Sequence, residues 1–230
     1  MSDELTVLTV SDIHAPFTHP RFREFMADTA QTEQPDEIVL IGDVVDLHAL
    51  SFHEHDPDGM SPGHEIKAAR RQVKEWVKLF PQARVCIGNH DARTIRLARK
   101  AGLPLEAVKD FSEIWDTPGW DWDWEHEVDG VLYKHGTGLS SLNAMLTFAQ
   151  KRMISTVCGH IHKQGGTLYG ASQIGRVFAM TVGCGIDVHS YAMDYGRDFT
   201  DKPVLGCGVV RGGVPQFIPM KCGIGEAYER

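Results

Sequence analysis

The stretch Glu37–Asp46, EIVLIGDVVD, decides how the rest of the chain is read. Four apolar residues in a row, three of them β-branched, match a strand buried on both faces, ended by a glycine and followed by carboxylates. The same pattern lies on either side of it. LTVLTVSD at the start reads as a strand ending near Asp12, and ARVCIG as a third over Ala83–Gly88. Between them, Arg21–Thr32 and Gly63–Phe80 carry helical spacing. In the second of these, Ile66, Ala69, Val73, Trp76 and Val77 fall on one side and Pro81 closes the segment. Another helix is expected after Asp91. Strand alternating with helix predicts βαβ units and a largely parallel sheet.

The second half changes character. Gly119–Val128, GWDWDWEHEV, alternates tryptophan with acidic residues and reads as one half-buried strand. Asp129-Gly130 is a two-residue hairpin turn from which VLYKHG returns. A helix over Leu139–Gln150 precedes a strand over Ile154–Gly159, and the glycine-rich last third shows short strands (RVFAMTVG, GCGVV, PQFIPM). With no repeat, linker or low-complexity tract, residues 1–230 read as a single α/β domain of two stacked sheets flanked by helices.

Composition narrows the function. Of the 230 residues, 42% are hydrophobic and 23% charged, as in globular proteins with a substantial core. A net charge of −8 excludes a protein that coats nucleic acid by general attraction. It does not exclude a nuclease, because bound cations reverse the local field. Five cysteines, widely spread and without a C-x-x-C pair, are expected as buried thiols rather than disulfides. No apolar run reaches bilayer length and the acidic start lacks the n-region of a secretory signal, so a cytoplasmic location is the expectation.

Metal-binding side chains recur where strands end: Asp12 and His14, Asp43 and Asp46, Asn89, His90 and Asp91, His135, and His160 and His162. Loops at the carboxyl ends of parallel strands converge on one crevice, so these residues are expected to meet. Mixed carboxylate and imidazole suits Mn, Fe, Zn or Ni. Alternation in Asp12-x-His14 and His160-x-His162 is expected to put each pair on one side of an extended segment. Glycines before Asp43, Asn89 and His160 allow tight turns and close backbone approach.

This order of motifs, D-x-H, G-D-x-x-D, G-N-H-D, a later His, then G-H-x-H, resembles that of the calcineurin-like metallophosphoesterases. The resemblance implies a four-layer αββα sandwich and two divalent ions, with Mn placed first and Fe, Zn, Ni or Mg as alternatives. It implies one metal on Asp12, His14, Asp43 and His162, and a second, bridged by Asp43, on Asn89, His135 and His160. His90 would contact the scissile phosphate and assist the leaving group, oriented by Asp91, while a metal-bridging hydroxide attacks phosphorus in line. Ser11–Phe17, Asp46–Asp58 and Lys202–Met220 are also similar to small bacteriophage phosphoesterases, described as exonucleases or phosphatases. A phage origin would put the protein in a bacterial host's cytoplasm. Several of that group carry N-H-G-S where this chain has Asn89-His90-Asp91-Ala92.

The implied function is a dinuclear phosphohydrolase, read first as a phosphodiesterase for nucleotides or single-stranded nucleic acid. A phosphomonoesterase is the second reading and a non-catalytic metal-binding scaffold the third. The sequence sets no oligomeric state. Asp46, His48, His53 and Arg93 are further candidates for the surroundings of the metals or the substrate. Residues 47–63 are either a solvated polar loop or a substrate-selecting lip. Arg93, Arg96 and Arg99, with Lys100, form a basic row directly after G-N-H-D, read as a solvated face or a guide for a phosphate backbone. The three tryptophans of 119–128 read as core or interface rather than a base-stacking platform. His189 and Asp187 are not placed by sequence.

Overall fold

Successive residues of the first strands point into two separate interiors, and that alternation sets the layers. The computed structural model describes residues 4–52, 58–190, 192 and 201–222. Strands β1 (Thr6–Val10), β2 (Glu37–Leu40) and β3 (Ala83–Cys86) are parallel, with Val7 opposite Glu37 and Val39 opposite Arg84. Helices α1 (Phe22–Glu33) and α2 (Pro62–Leu79) connect them. Leu8, Val10, Leu40 and Val85 pack with Phe22, Met26, Val73 and Trp76 of these helices, whereas Val7, Val39, Ile41 and Cys86 belong to a different cluster. Then follow α3 (Arg93–Lys100), α4 (Phe111–Trp115) and β4 (Trp120–Asp123), the last lying parallel to β3 at the sheet edge.

The second sheet contains β5 (Glu125–Val128), β6 (Val131–Lys134), β7 (Ser155–Cys158), β8 (Gly165–Ala171) and β9 (Arg176–Val182), in the order β5-β6-β7-β9-β8. Helix α5 (Leu142–Arg152) links β6 to β7. The chain returns to the first sheet as β10 (Gly206–Arg211) and β11 (Val214–Pro219), giving the order β11-β10-β1-β2-β3-β4. Val7, Val39, Ile41 and Val210 of one sheet meet Tyr133, Val157, Phe178 and Met180 of the other. Met145 and Ala149 of α5 cover Cys158, Val177 and Ala179 on the outer side. Helix, sheet, sheet, helix is the α/β arrangement that the motif order implied. Both sheets are mixed, since β10 and β5 pair antiparallel to their neighbours β1 and β6.

The hairpin turn stands as read: Asp129 and Gly130 have φ of 49° and 71°, and Val128 pairs with Val131. All five cysteines are free thiols, four of them buried. No helix of the described residues is long and apolar enough to cross a membrane.

Three details depart from the sequence reading. Gly119–Val128 is two strands in different sheets rather than one. Trp120 is 4% exposed and donates from Nε1 to the Phe80 carbonyl at 2.8 Å, and Trp122 stacks on Phe111. Trp124, at the crossing between sheets, is 56% exposed. The period of two continues past the crossing, so the pattern hides the break. Strand β8 is silent in the sequence, because its glycines suppress the strand signal. Two of them are sites of close contact: a Cβ on Gly165 would lie 2.3 Å from the Phe217 ring, and one on Gly170 would lie 2.4 Å from Gln150. Short α4 is a further addition, although its Asp110 cap, accepting from the Glu113 N–H at 2.8 Å, stands in the capping pattern D-x-x-E.

The three tryptophans therefore separate in a denaturant titration. Trp120→Ala is expected to cost about 3–5 kcal/mol, as for a large aromatic removed from a core. Trp124→Ala is expected to stay within about 0.5 kcal/mol of the parent.

Candidate metal centre

Five parallel strand ends bring the motifs together. β1, β2 and β3 deliver Asp12 and His14, Asp43 and Asp46, and Asn89 to Asp91; β6 and β7 deliver His135, and His160 and His162. The segments are laced by backbone bonds: Asp12 N–H to the Gly42 carbonyl at 3.0 Å, His14 N–H to that of Asp43 at 2.9 Å, and Gly159 N–H to that of His135 at 3.1 Å. Asp12, His14, Asp43 and His160 have φ of 53°, 49°, 47° and 66°. The pairs Asp12/His14 and His160/His162 thus do not lie on extended segments, as alternation suggested. Left-handed turns aim them instead, at roughly 1–2 kcal/mol per residue. Strained backbone gathered at one place is characteristic of functional sites.

The side chains form three overlapping groups whose ligand atoms lie within 4.8 Å of one another: Asp12, His14 and His162; His14, Asp43 and His90; and Asp43, His135 and His160. His14 links the first group to the second, and Asp43 links the second to the third. Asp43 Oδ2 lies 3.2 Å from His135 Nε2, 3.8 Å from His14 Nε2 and 3.9 Å from His90 Nε2. Its Oδ1 accepts the His90 backbone N–H at 2.7 Å. Asp12 Oδ1 meets His162 Nε2 at 2.9 Å, while its Oδ2 accepts the His160 N–H at 2.8 Å and a hydrogen bond from Ser11 Oγ. Asn89 Oδ1 is 3.1 Å from His135 Nε2. The expected ligands thus fall into two triads, Asp12/His14/His162 and Asn89/His135/His160, with Asp43 close to a member of each.

The donor set fits divalent ions. His14 Nε2 is buried without a hydrogen-bond partner and points between the carboxylates of Asp12 and Asp43, where a cation would take its lone pair. Its other nitrogen, Nδ1, is held by Asp46 Oδ2 at 2.6 Å, the outer contact that fixes a metal-binding imidazole. His135 Nδ1 is likewise held, by the Ile41 carbonyl at 2.9 Å. Two glycines make room: a Cβ on Gly88 would lie 2.1 Å from Asp43 Oδ1, and one on Gly159 would lie 1.7 Å from Ser11 Oγ.

The surrounding residues divide in ways the sequence does not show. Asp46 serves twice, since its carbonyl accepts from His90 Nδ1 at 2.8 Å. Asp91, expected to orient His90, instead accepts the N–H groups of Gly88 at 2.9 Å and Val45 at 3.2 Å, tying two ligand loops together. A residue adjacent in sequence to His90 can point its side chain elsewhere, and this one is fully buried beneath the loops. Arg93 turns inward: Nη1 donates to the Asp46 and Leu47 carbonyls, both at 2.9 Å, and Nη2 lies 3.2 Å from His90 Nε2. Glu65, which in sequence is one acid of a helical run, is 1% exposed and accepts the His48 and Ala49 N–H groups at 2.6 and 2.7 Å. It pins the short 3-10 turn His48–Leu50, which places His48 here through its backbone. His53 lies outside the described residues. Asp187 and His189 sit by His19 rather than with the triads.

Burial opposes charge throughout the centre, and the mutual arrangement overrides it. Asp12, Asp43 and Asp46 would be driven up by burial, yet His162, His135 and His14 hold their carboxyls below the usual range. Burial pulls His14 and His135 down, but the carboxylates of Asp12 and Asp46 beside His14 raise it to about 10, and Asp43 raises His135 to about 9. His160 is lowered by burial and by His135. Asp91 rises to about 7, through burial and then the charge of Asp43.

Two outcomes are expected. His14 and His135, raised from 6.5, hold protons at neutral pH without metal. The stability they lend is complete below 6.5 and is lost as pH climbs through about 9 and 10. A divalent ion needs those lone pairs, so loading at pH 7 should release about two protons, and affinity should rise with pH. Calorimetry in buffers of different ionisation enthalpy counts them. Gly88→Ala should weaken metal binding by about tenfold or more, as loss of ligand support does, read by the same titration.

The comparisons with known proteins agree with this geometry. A family model described as calcineurin-like phosphoesterase matches residues 5–165, which include every residue of both triads. No curated protein matches the chain in sequence. Among solved structures, a hypothetical protein from Pyrococcus horikoshii OT3 aligns with a TM-score of 0.52 and 10% identity, over 94% of this chain and 88% of that one. Vacuolar Protein Sorting 29 from Cryptosporidium parvum gives 0.49 and 11%, over 95% and 98%. Pseudomonas putida nuclease MPE gives 0.46 and 10%, over 91% and 87%. At these identities the likeness is one of fold alone. The span of the family match and the ligand clusters inside it make the chain a member of the calcineurin-like phosphoesterase family.

Proposed function

We propose that the protein is a dinuclear metal-dependent phosphodiesterase acting on nucleotides or nucleic acid. The observation that carries this is Asp43 Oδ2, which faces the Nε2 atoms of His14, His135 and His90 from a single point. A carboxylate so placed can serve two ions at once. Asp12, His14 and His162 would complete one ion's set, and Asn89, His135 and His160 the other's. Two divalent ions held there, Mn first, would supply Lewis acidity toward the phosphoryl oxygens and lower the pKa of water.

The chain's own residues do the rest. His90 Nδ1 is held by the Asp46 carbonyl, which leaves Nε2 facing the centre, where it can meet a phosphoryl or leaving oxygen. Arg93 Nη2 touches that same atom and can exchange the contact for a phosphoryl oxygen. Arg96 Nη2 donates to the Asn89 carbonyl at 3.0 Å, so a second guanidinium lies beside the ligand loop. Two cations beside the centre favour a substrate whose second ester branch continues past it, hence a diester.

Hydrolysis of bis-p-nitrophenyl phosphate beside p-nitrophenyl phosphate, with Mn²⁺ and with chelator, tests the reading. Faster, metal-dependent cleavage of the diester supports it. Preference for the monoester makes the protein a phosphatase, and no turnover on either with two metals bound returns it to a scaffold. His90→Ala is expected to lower kcat by about 10²–10⁴ with metal stoichiometry unchanged, the range for loss of a positioned proton donor. Equal loss of metal would make His90 a ligand instead.

A further inference from the structure

The basic row after G-N-H-D divides in the fold. Arg93 is drawn into the centre, whereas Arg96, Arg99 and Lys100 are exposed on α3. At 3.6 residues per turn, positions 93, 96, 99 and 100 lie within roughly a 120° arc and span about 10 Å of helix axis. Elsewhere on this acidic protein several cations pair with carboxylates: Arg23 with Glu75, Arg84 with Glu37, Lys163 with Asp201 and Arg211 with Glu33. Among the described residues, no carboxylate lies within ion-pair distance of Arg96, Arg99 or Lys100. On a chain of net charge −8, three adjacent cations without counter-charges form a local positive patch that a polyanion can cover.

One exposed aromatic touches the row and another lies on the adjoining sheet edge. Phe52 is 63% exposed, with Lys100 Nζ 4.9 Å from its ring centre. Trp124 directly follows β4, which runs parallel to β3 and is bonded to its continuation by Ile87 N–H to the Asp123 carbonyl at 2.8 Å. Trp124 therefore stands on the same sheet edge as Asn89, where α3 departs. Cations that follow a backbone, with aromatic faces beside them, are the two components by which proteins hold single strands without reading sequence.

We infer that α3 is a track for single-stranded nucleic acid leading into the metal centre, with Arg96, Arg99 and Lys100 on about two or three successive phosphates and Trp124 against a base. The inference rests on the phosphodiesterase reading and specifies its substrate. A duplex is disfavoured because the centre is recessed: Asp12, His14 and Asp43 are at most 1% exposed, and a phosphorus must descend to them.

Binding without turnover separates this from the activity. The anisotropy of fluorescein-labelled dT12 and U12 would be measured in EDTA against the full-length protein, its Arg99→Glu/Lys100→Glu variant and its Trp124→Ala variant. The double variant is expected to bind at least about tenfold more weakly, and its logarithmic salt slope should fall by about 1.4, or 0.7 for each phosphate no longer neutralised. Trp124→Ala is expected to weaken binding with the slope intact. Failure of the parent protein to bind either oligomer, unchanged affinity and slope in the double variant, or equal binding of labelled polyglutamate would each overturn the track. Failure to hydrolyse bis-p-nitrophenyl phosphate would leave these binding results standing and remove only the diesterase reading.

Discussion

The position of the Asp43 carboxylate is the constraint on which the rest of the site depends. One oxygen is fixed by the His90 backbone N–H and the other is offered to three imidazoles. To reach that point the chain turns left-handed at Asp43, directly after Gly42 at φ 77°. The neighbouring loop must also approach closely, which only a residue without a Cβ allows at position 88. Asp91 then joins the two loops by accepting one N–H from each. The two layers of sheet matter to this because His135 comes from the second sheet and Asp43 from the first. The Asp43–His135 contact is therefore also a contact between sheets, and the centre and the inter-sheet core depend on the same packing.

Much of this is legible in the sequence, for physical reasons that can be named. Apolar strands buried on both faces carry an unbroken hydrophobic signal, and ligand residues follow such strands at once, so both the parallel strands and their ligands can be read from EIVLIGDVVD and its like. What escapes depends on three-dimensional neighbours. The break at Trp124 keeps a period of two across two sheets. Glycine-rich β8 owes its place to Phe217 and Gln150, which are distant in sequence. Glu65 looks like any acid on a helix, and only its burial under the His48–Leu50 turn sets it apart. Adjacency to His90 suggests one role for Asp91, but its carboxylate serves Gly88 and Val45.

Arg93 and its helical neighbours also differ, although their spacing treats them alike. Arg93 lies at the start of α3, within reach of the carbonyls of Asp46 and of the left-handed residue Leu47, at φ 56°. A guanidinium there finds acceptors that a residue one turn later does not. Arg96 still reaches a carbonyl, that of Asn89, while Arg99 and Lys100 have passed beyond the ligand loops. A graded set of cations results, from buried to exposed, along one helix.

Burial, strain and charge at the centre point in one direction. Four candidate ligands have left-handed backbone, His135 opposes the protonation of His160, and His14 Nε2 is buried without a partner. Each of these costs stability in the protein alone. A divalent cation removes two of the three at once, since it takes the imidazole lone pairs and turns repulsion among ligands into shared attraction. The left-handed turns remain, but they become the geometry that holds the cation. Metal binding and folding stability would therefore be linked here, and the strain that weakens the protein alone is the geometry a divalent ion would use.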